Sequence, residues 1–574
     1  MHQTNSCLPR FAISCVFCAL LAACCLPASA AITSVTSNAD AIGKYAKLEL
    51  TVGLSETYAN PYDPDQIDLS AQFTAPSKKV WKVNGFYDGT TFRVRFAANE
   101  TGNWSYLVSA TDAKGTARSQ AGTFICKDSD LHGWVKVAPN NRYLQCDDGT
   151  SFYGVGCCHA WSVSTQTLDR MKALGFNTYV YWNGTYDSGG GTRLIESTAS
   201  GIGRYDQQKC TRLDTLINWN EARNMGMILV ILPHDYGCEQ LGGWKAAWSL
   251  NPYKDIVTSA KYYTDETSWA YQQKQYRYII ARWGYSTGIV GWQTVDEISG
   301  TNGWVADQAG ANQWAAKIAR FFQTNDPFRH PTTASHGSFW DEGNKANDLP
   351  NTEVYGNYSP PNIAATVQKL WNGYQKPCIM GETGADRDGA VSHAKIWSAM
   401  AAGISITPLL WQFTQGWNDS ISAQYPAFNK FIADINFAGL KNPAQAKVSI
   451  PGTDPMLVPA RGARGPGGRG AATPPGAASR PAPPTSAPTN VAGVWAITSD
   501  QMTFGWMTGA IAGKSLKLTG LRDGVYTMQW WDCAQGRVIS TSDVTAANGT
   551  LTASIPATSQ PDLAFKIIAP ASAR

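Results

Sequence analysis

Between about Gly133 and Ala446 the chain repeats one pattern eight times: a short apolar run suited to a buried strand, followed by a longer stretch with helical spacing. Strands are predicted at 152–157, 177–182, 227–233, 289–295, 331–335, 353–357, 377–381 and 404–411. Eight strands, each returning through a helix, are what a (β/α)8 TIM barrel requires, and no other feature restricts the fold as tightly. The connecting helices carry one apolar face: Tyr276, Ile279, Ile280 and Trp283 recur at i, i+3, i+4 and i+7, and Trp314, Ile318, Phe321 and Phe322 at i, i+4, i+7 and i+8. Ile363, Val367, Leu370 and Trp371 repeat the second spacing. None of these stripes needs a cofactor to explain it.

At 574 residues the chain exceeds one core, and its flanks read differently from its middle. Residues 31–128 are short alternating runs such as Leu48–Val52, Phe92–Phe96 and Trp104–Val108, broken by turn residues at Asp88-Gly89 and Gly102-Asn103, which predicts a β-sandwich. Residues 456–491 are rich in Pro, Gly and Arg without apolar periodicity and are expected to be a disordered tether. Residues 492–574 return to β-type runs and predict a second β-sandwich. There Trp530 and Trp531 are adjacent and should point to opposite faces, one into the core and one exposed. The expected architecture is a barrel flanked by amino- and carboxyl-terminal β-sandwich domains.

Residues 1–30 combine Arg10, an apolar run from Phe11 to Leu26 and the small-residue ending Ala28-Ser29-Ala30, the pattern of a secretion signal peptide too short to remain as a transmembrane helix. Leu21-Ala22-Ala23-Cys24 resembles a bacterial lipobox, so a lipid anchor at Cys24 competes with release after Ala30. Either route places the chain outside the cytoplasm, secreted or surface-anchored. Eight of the 13 cysteines lie beyond the leader; Cys126 with Cys146, or Cys210 with Cys238, are the nearest in sequence, and spacing alone does not set their pairing. No zinc pattern is present. A net charge of +4 gives no reason to expect nucleic acid as a partner, whereas 22 Trp and 24 Tyr suit surfaces that stack on sugars. A monomer is expected.

Barrel enzymes place their reacting groups where strands end. Gly288-Ile-Val-Gly-Trp-Gln-Thr-Val-Asp296-Glu297 ends strand four on two acids, and Ile379-Met-Gly-Glu382-Thr-Gly ends strand seven on one. His159 and Trp161 follow strand one, Trp182 and Asn183 close strand two, His234 and Asp235 end strand three, His336 follows strand five, Tyr355 and Tyr358 follow strand six, and Trp411 ends strand eight. A metal group of His234, Asp235 and His336 has no diagnostic spacing, so neither metal nor cofactor is expected. A Ser or Cys hydrolase finds no support: there is no G-x-S-x-G elbow, and the Cys157-Cys158 pair has only His159 beside it.

Acids ending strands four and seven, with Gly-Ile-Val-Gly-Trp before the first and Gly-Glu-Thr-Gly around the second, resemble the clan A glycoside hydrolases, especially the cellulase-like family 5, over roughly residues 133–440. The resemblance implies Glu297 as general acid/base and Glu382 as nucleophile of a retaining hydrolase cleaving β-glycosidic bonds of a polysaccharide or oligosaccharide. Retaining chemistry wants the two carboxyl groups about 5 Å apart and the acid's pKa lifted toward about 6. It further implies that Tyr355 or Tyr358 hydrogen-bonds the nucleophile, that Trp411 floors the sugar, and that His336 stands beside the acid/base; Trp182, His159, His234 and Asp235 fall among the substrate-binding positions. One position departs: the family carries Asn before the acid/base, and this chain has Asp296, an acceptor where the family has a donor. Asp296 marks either an unusual sugar at that subsite or a changed proton arrangement.

The flanks add to this. Tyr58-Ala-Asn-Pro-Tyr-Asp63, Gly85-Phe-Tyr-Asp-Gly89 and Glu100-Thr-Gly-Asn-Trp104 resemble the Ig-like module of unknown function that precedes the barrel in bacterial secreted glycosidases, and Tyr526–Gly536 resembles small β-sandwiches described as collagen-binding. Trp161, Trp182, Trp244, Trp248, Trp340 and Trp417 include candidate sugar platforms, and the loop from Tyr236 to Ser268 is a candidate subsite wall. The alternative is a non-catalytic glycan-binding or adhesion protein on a decayed barrel.

Overall fold

The computed structural model describes residues 1, 31–183, 194–241, 246–384, 388–413, 417–457 and 490–570. The expected leader with Cys24, nearly all of the tether, and Gly242-Gly243-Trp244 lie outside these residues.

The middle of the chain is a parallel eight-stranded ring. Its strands are β1 (Gly156–Cys158), β2 (Thr178–Trp182), β3 (Gly226–Pro233), β4 (Ile289–Asp296), β5 (Thr332–Thr333), β6 (Asn351–Val354), β7 (Ile379–Thr383) and β8 (Leu410–Trp411). They pair in the order β5-β4-β3-β2-β1-β8-β7-β6. The seam between β5 and β6 has no ladder, but Leu349 N–H donates to the Thr332 carbonyl at 2.9 Å and Thr333 Oγ1 donates to the Leu349 carbonyl at 2.8 Å across it. The helices Glu266–Trp283, Gln308–Asn325 and Pro360–Tyr374 bury the apolar stripes that predict them, apart from the partly buried Phe321 and Trp371.

Three predicted strands shift, each for a local reason. Ser151–Phe152 joins Val135–Val137 and Leu144–Cys146 in a small separate sheet, and strand one begins only at Gly156. The intervening glycines permit close approach: a Cβ on Gly156 would lie 1.9 Å from the Thr178 carbonyl oxygen. Strand six ends at Val354 because Gly356 takes a φ of 96°. Strand eight is reduced to two residues after Pro408, which has no N–H for a ladder. Val135 and Leu144 of the small sheet pack with Val180, Ile228, Val290 and Ile379 at the starts of the barrel strands, so the amino-terminal mouth is plugged and the carboxyl-terminal mouth is left for chemistry.

Amino-terminal to the barrel, two sheets enclose a shared core of Leu48, Leu50, Val52, Phe73, Phe96, Trp104 and Phe124. All their pairings are antiparallel except Ala41–Gly43 with Gly122–Lys127, which is parallel. This core also takes in Trp134 and the barrel's Phe328, so it does not stop at the predicted boundary. Its contact with the barrel is ionic as well. Arg95 and Arg282, both buried, converge on Asp214, with nitrogen-to-oxygen distances of 2.7 and 2.6 Å.

Carboxyl-terminal to the barrel, the ladder is one continuous ten-stranded sheet instead of two facing sheets. Ala444–Gln445 pairs at one end and Lys447–Ser449 at the other, so the sheet curls until a single segment of chain bridges its two edges. This unit therefore recruits residues 444–455 ahead of the tether as well as the expected residues after it. Trp530 and Trp531 do face apart, but neither is exposed: Trp530 packs on Phe565 inside the sheet and Trp531 on Phe431 of the barrel, ring centroids 6.0 and 5.4 Å apart. The face expected to meet solvent meets the barrel. All eight described cysteines are free thiols, so neither Cys126–Cys146 nor Cys210–Cys238 is bridged. Cys126 is buried in the amino-terminal core while Cys146 edges the barrel plug, and Cys210 faces the Tyr278 hydroxyl from its helix.

Candidate active site

β4 carries its last two residues into the open mouth in different ways. Asp296 ends the ladder with its side chain buried, and Glu297 turns the chain at φ 45° and ψ 57°, a left-handed conformation that is costly for a residue with a side chain. Ser335, after β5, holds both: its Oγ accepts the Glu297 N–H at 2.8 Å and donates to Asp296 Oδ1 at 3.1 Å. Gln293 Nε2 also donates to Asp296 Oδ1, at 2.5 Å. The carboxylate is thus fixed through one oxygen, and Oδ2 lies on the His234 side, 3.9 Å from Nδ1.

His234 lies among three acids. Its Nε2 is 3.0 Å from Asp235 Oδ1 and its Nδ1 is 3.6 Å from Glu297 Oε2. Burial alone would lower its pKa, but hydrogen bonds to Asp235 and Asp296 and the charges of Asp235 and Glu297 raise it to about 10. At neutral pH the ring is an imidazolium. Any stability it contributes is complete below the unfolded histidine value and is lost as pH rises through about 10.

On the other side of the mouth, Tyr355 donates its hydroxyl hydrogen bond to Glu382 Oε1. Tyr358 serves elsewhere, its ring 4.3 Å below Lys395 Nζ. The choice that the sequence leaves open between the two tyrosines falls to Tyr355. Trp411 and Trp182 stand with Trp161 in a cluster whose centroids are 5.2 to 5.9 Å apart, and Trp182 also meets the His234 ring edge-on. Trp411 and Trp161 remain partly exposed, which leaves ring surface for a ligand.

A further carboxyl group is not among the predicted site residues. Glu353, inside β6 and in register with Glu382 of β7, is buried in the same mouth. One oxygen from each of Asp296, Glu353 and Glu382 lies within 4.8 Å of the others, as does one ligand atom from each of His234, Asp296 and Glu297. Burial first, then the charges of Glu297, Glu382 and Asp296, push the Glu353 pKa well above the carboxylate range. Either trio is close enough to share a cation. The signal for Glu353 is in the sequence: an acid inside a strand expected to be wholly buried is costly unless something else in the barrel needs it.

Other predicted residues have different partners. His336 belongs to neither trio; its ring packs on Trp304 and Trp340, and its Nδ1 is 3.0 Å from Ser338 Oγ. A metal group of His234, Asp235 and His336 is therefore not assembled among the described residues. His159 is fully buried with its ring edge-on to Phe413, and Asn183 is buried beyond β2. Burial raises the Cys157 and Cys158 pKa values well above the thiol range, the opposite of what a nucleophilic thiolate requires. Trp248, Trp340 and Trp417 are used in packing: Trp248 meets Tyr262, Trp340 Nε1 donates to Asn312 at 2.8 Å, and Trp417 Nε1 donates to Ser422 at 2.9 Å. The loop after β3 is braced beside the β4 exit, where Tyr263 donates to Thr301 Oγ1 at 3.2 Å and Glu239 N–H to Asn302 Oδ1 at 2.7 Å.

Residues 41–111 match the family described as a domain of unknown function, DUF5060. No curated protein matches the chain. Among solved structures, a candidate glycoside hydrolase from Bacteroides vulgatus ATCC 8482 aligns over 92% of this chain and 100% of its own, with a TM-score of 0.62 and 17% identity. A second, described as a glycoside hydrolase, aligns over 76% of this chain and 97% of its own, with a TM-score of 0.50 and 12% identity. The likeness is one of fold: the chain has the overall architecture of structures described as glycoside hydrolases.

Proposed function

We propose that the chain is a secreted glycoside hydrolase that cleaves β-glycosidic bonds of a polysaccharide or oligosaccharide with retention, with Glu382 as nucleophile and Glu297 as acid/base. The observation that carries this reading is the convergence of β4 and β7 carboxyl groups in one buried mouth, with the Tyr355 hydroxyl fixed on Glu382. In the first step a Glu382 oxygen bonds to the anomeric carbon as the glycosidic C–O bond breaks, and Glu297 gives its proton to the departing oxygen. In the second Glu297 takes a proton from water, whose oxygen displaces Glu382. The Trp161, Trp182 and Trp411 cluster supports the sugar, and the imidazolium of His234 is the cationic group facing Glu297 and Asp296. The test is hydrolysis of a panel of β-linked oligosaccharides followed by NMR. Release of the β-anomer first supports the reading; the α-anomer first overturns retention in favour of inversion, and no turnover on any glycan overturns the hydrolase and favours an adhesion protein on a decayed barrel. Export rests on the leader, and the mass of the mature protein distinguishes cleavage after Ala30 from lipidation at Cys24.

Two substitutions test the supporting residues. Tyr355→Phe removes a hydrogen bond to a carboxylate, worth about 1.5–3 kcal/mol, so kcat/KM should fall by about 10- to 150-fold with the fold unchanged. Glu353→Gln should be nearly silent at neutral pH, because an amide imitates the protonated carboxyl group held there. The variant's alkaline limb should extend beyond that of the parent in a pH profile of kcat/KM, since the amide has no carboxyl proton to lose. A strong loss at neutral pH would mean that Glu353 acts as an anion.

A further inference from the structure

Where the barrel meets the carboxyl-terminal sheet, a second group of ligand-type side chains takes no part in hydrolysis. Helix Gly389–Ala402 supplies His393, Cys533 follows strand Gly524–Asp532, and Asp562 opens strand Asp562–Ile568. One ligand atom from each lies within 4.8 Å of the other two; Cys533 and Asp562 are buried and His393 is largely covered. These are three donor types, N, S and O, brought together from three elements.

The surroundings orient them for a shared centre. His393 Nδ1 is 3.0 Å from Gln424 Oε1, and the Gln424 amide is oriented because its Nε2 donates to the Ser420 carbonyl at 2.8 Å. Oε1 can only accept, so Nδ1 carries a proton, and Nε2 lies 2.7 Å from Asp562 Oδ2, a contact that holds one further proton between the two atoms until a cation replaces it. That oxygen also accepts the Trp506 Nε1–H at 2.6 Å. A ligating histidine whose other nitrogen donates to a fixed oxygen, and a ligating carboxylate held by a separate donor, are the outer contacts that metal sites use to aim their ligands.

We propose that His393 Nε2, Cys533 Sγ and the Asp562 carboxylate bind one divalent cation of the zinc class and so tie the barrel to the carboxyl-terminal sheet. A mixed N, S and O set with a thiolate favours zinc over calcium or magnesium, which take oxygen ligands. Binding replaces the S–H bond and the proton between His393 Nε2 and Asp562 Oδ2 with bonds to the metal and releases both protons to solvent, so affinity should rise with pH. The site is independent of the hydrolase reading.

The experiment is a cobalt(II) titration of the full chain followed by absorption. A thiolate-to-cobalt charge-transfer band should saturate at one equivalent, be displaced by zinc and vanish in Cys533→Ser. Gln424→Ala, which leaves all three ligands in place, should weaken cobalt binding by about 10- to 100-fold. Absence of the band in the parent chain, or an identical band in Cys533→Ser arising from other cysteines, overturns the proposal. If Cys533→Ser does not fold, Gln424→Ala decides, and an unchanged affinity there also overturns it.

Discussion

Glu297→Ala is expected to lower kcat/KM on natural oligosaccharides by about 10³- to 10⁴-fold, at the upper end of what a positioned proton donor contributes. The loss should depend on the leaving group. A sugar alkoxide needs the proton that Glu297 supplies, whereas a dinitrophenolate leaves without it. Dinitrophenyl glycosides should therefore still acylate Glu382 in a rapid burst and then stall, because Glu297 is also the base that activates water for the second step. Glu382→Ala should lose both classes of substrate together, with no burst. Pre-steady-state release of dinitrophenol separates the two variants, and equal losses on both substrates in Glu297→Ala would assign that residue a structural role. The position suits the chemistry: Glu297 is held by its backbone N–H on Ser335 and by a strained left-handed turn, which leaves the carboxyl group facing the mouth and His234.

The largest expected effect on stability lies far from the mouth. Asp214, on helix Gln207–Glu221, accepts from Arg95 of the amino-terminal sheets, from Arg282 of the barrel and from Trp283 Nε1 at 2.8 Å. Asp214→Ala leaves two buried guanidinium groups facing each other with one carboxylate fewer, and removing one partner of such a buried pair costs about 3–5 kcal/mol. Glu49 remains to pair with Arg95, which should hold the loss toward the lower end of that range. The pH dependence carries its own signature. Burial would raise the Asp214 pKa, but the hydrogen bonds and charges of Arg282 and Arg95 lower it below the usual carboxylate value. A depressed folded-state pKa contributes stability that is complete above the unfolded value and is lost as pH falls through the folded one. Urea denaturation of parent and variant between neutral and acid pH should show the difference shrinking toward acid, and a constant difference would remove the ionic explanation.

The barrel is legible in the sequence because its physics is local and repeated. Each strand announces itself by an apolar run and each outer helix by its stripe, and the residues ending β4 and β7 can be placed in the mouth from chain order alone. Three things are less accessible. Glu353 sits inside a strand, where sequence position alone does not distinguish a costly structural acid from a functional one; only its register with Glu382 shows what it faces. Ser335 is an ordinary hydroxyl until it is seen bridging the Glu297 N–H and Asp296. A tryptophan at 530 or 531 is expected in solvent because alternation within a strand says which residues face apart but not what covers the second face, and here Phe431 of the barrel covers Trp531. Tertiary contact decides all three, and the Asn expected at position 296 is replaced by an acid whose Oδ1 is engaged with both Gln293 and Ser335. Asp296 Oδ1 is thus held by protein groups, while Oδ2 lies 3.9 Å from His234 Nδ1.

Incubation of the enzyme with a 2-deoxy-2-fluoro-β-glycoside bearing a dinitrophenyl leaving group, followed by peptide mass spectrometry, tests the assignment of the two glutamates most directly. The account predicts one fluoroglycosyl ester per chain, on the peptide containing Glu382 and on that residue, formed with loss of activity. An ester on Glu297, Glu353 or Asp296, or inactivation with no covalent adduct, would contradict it.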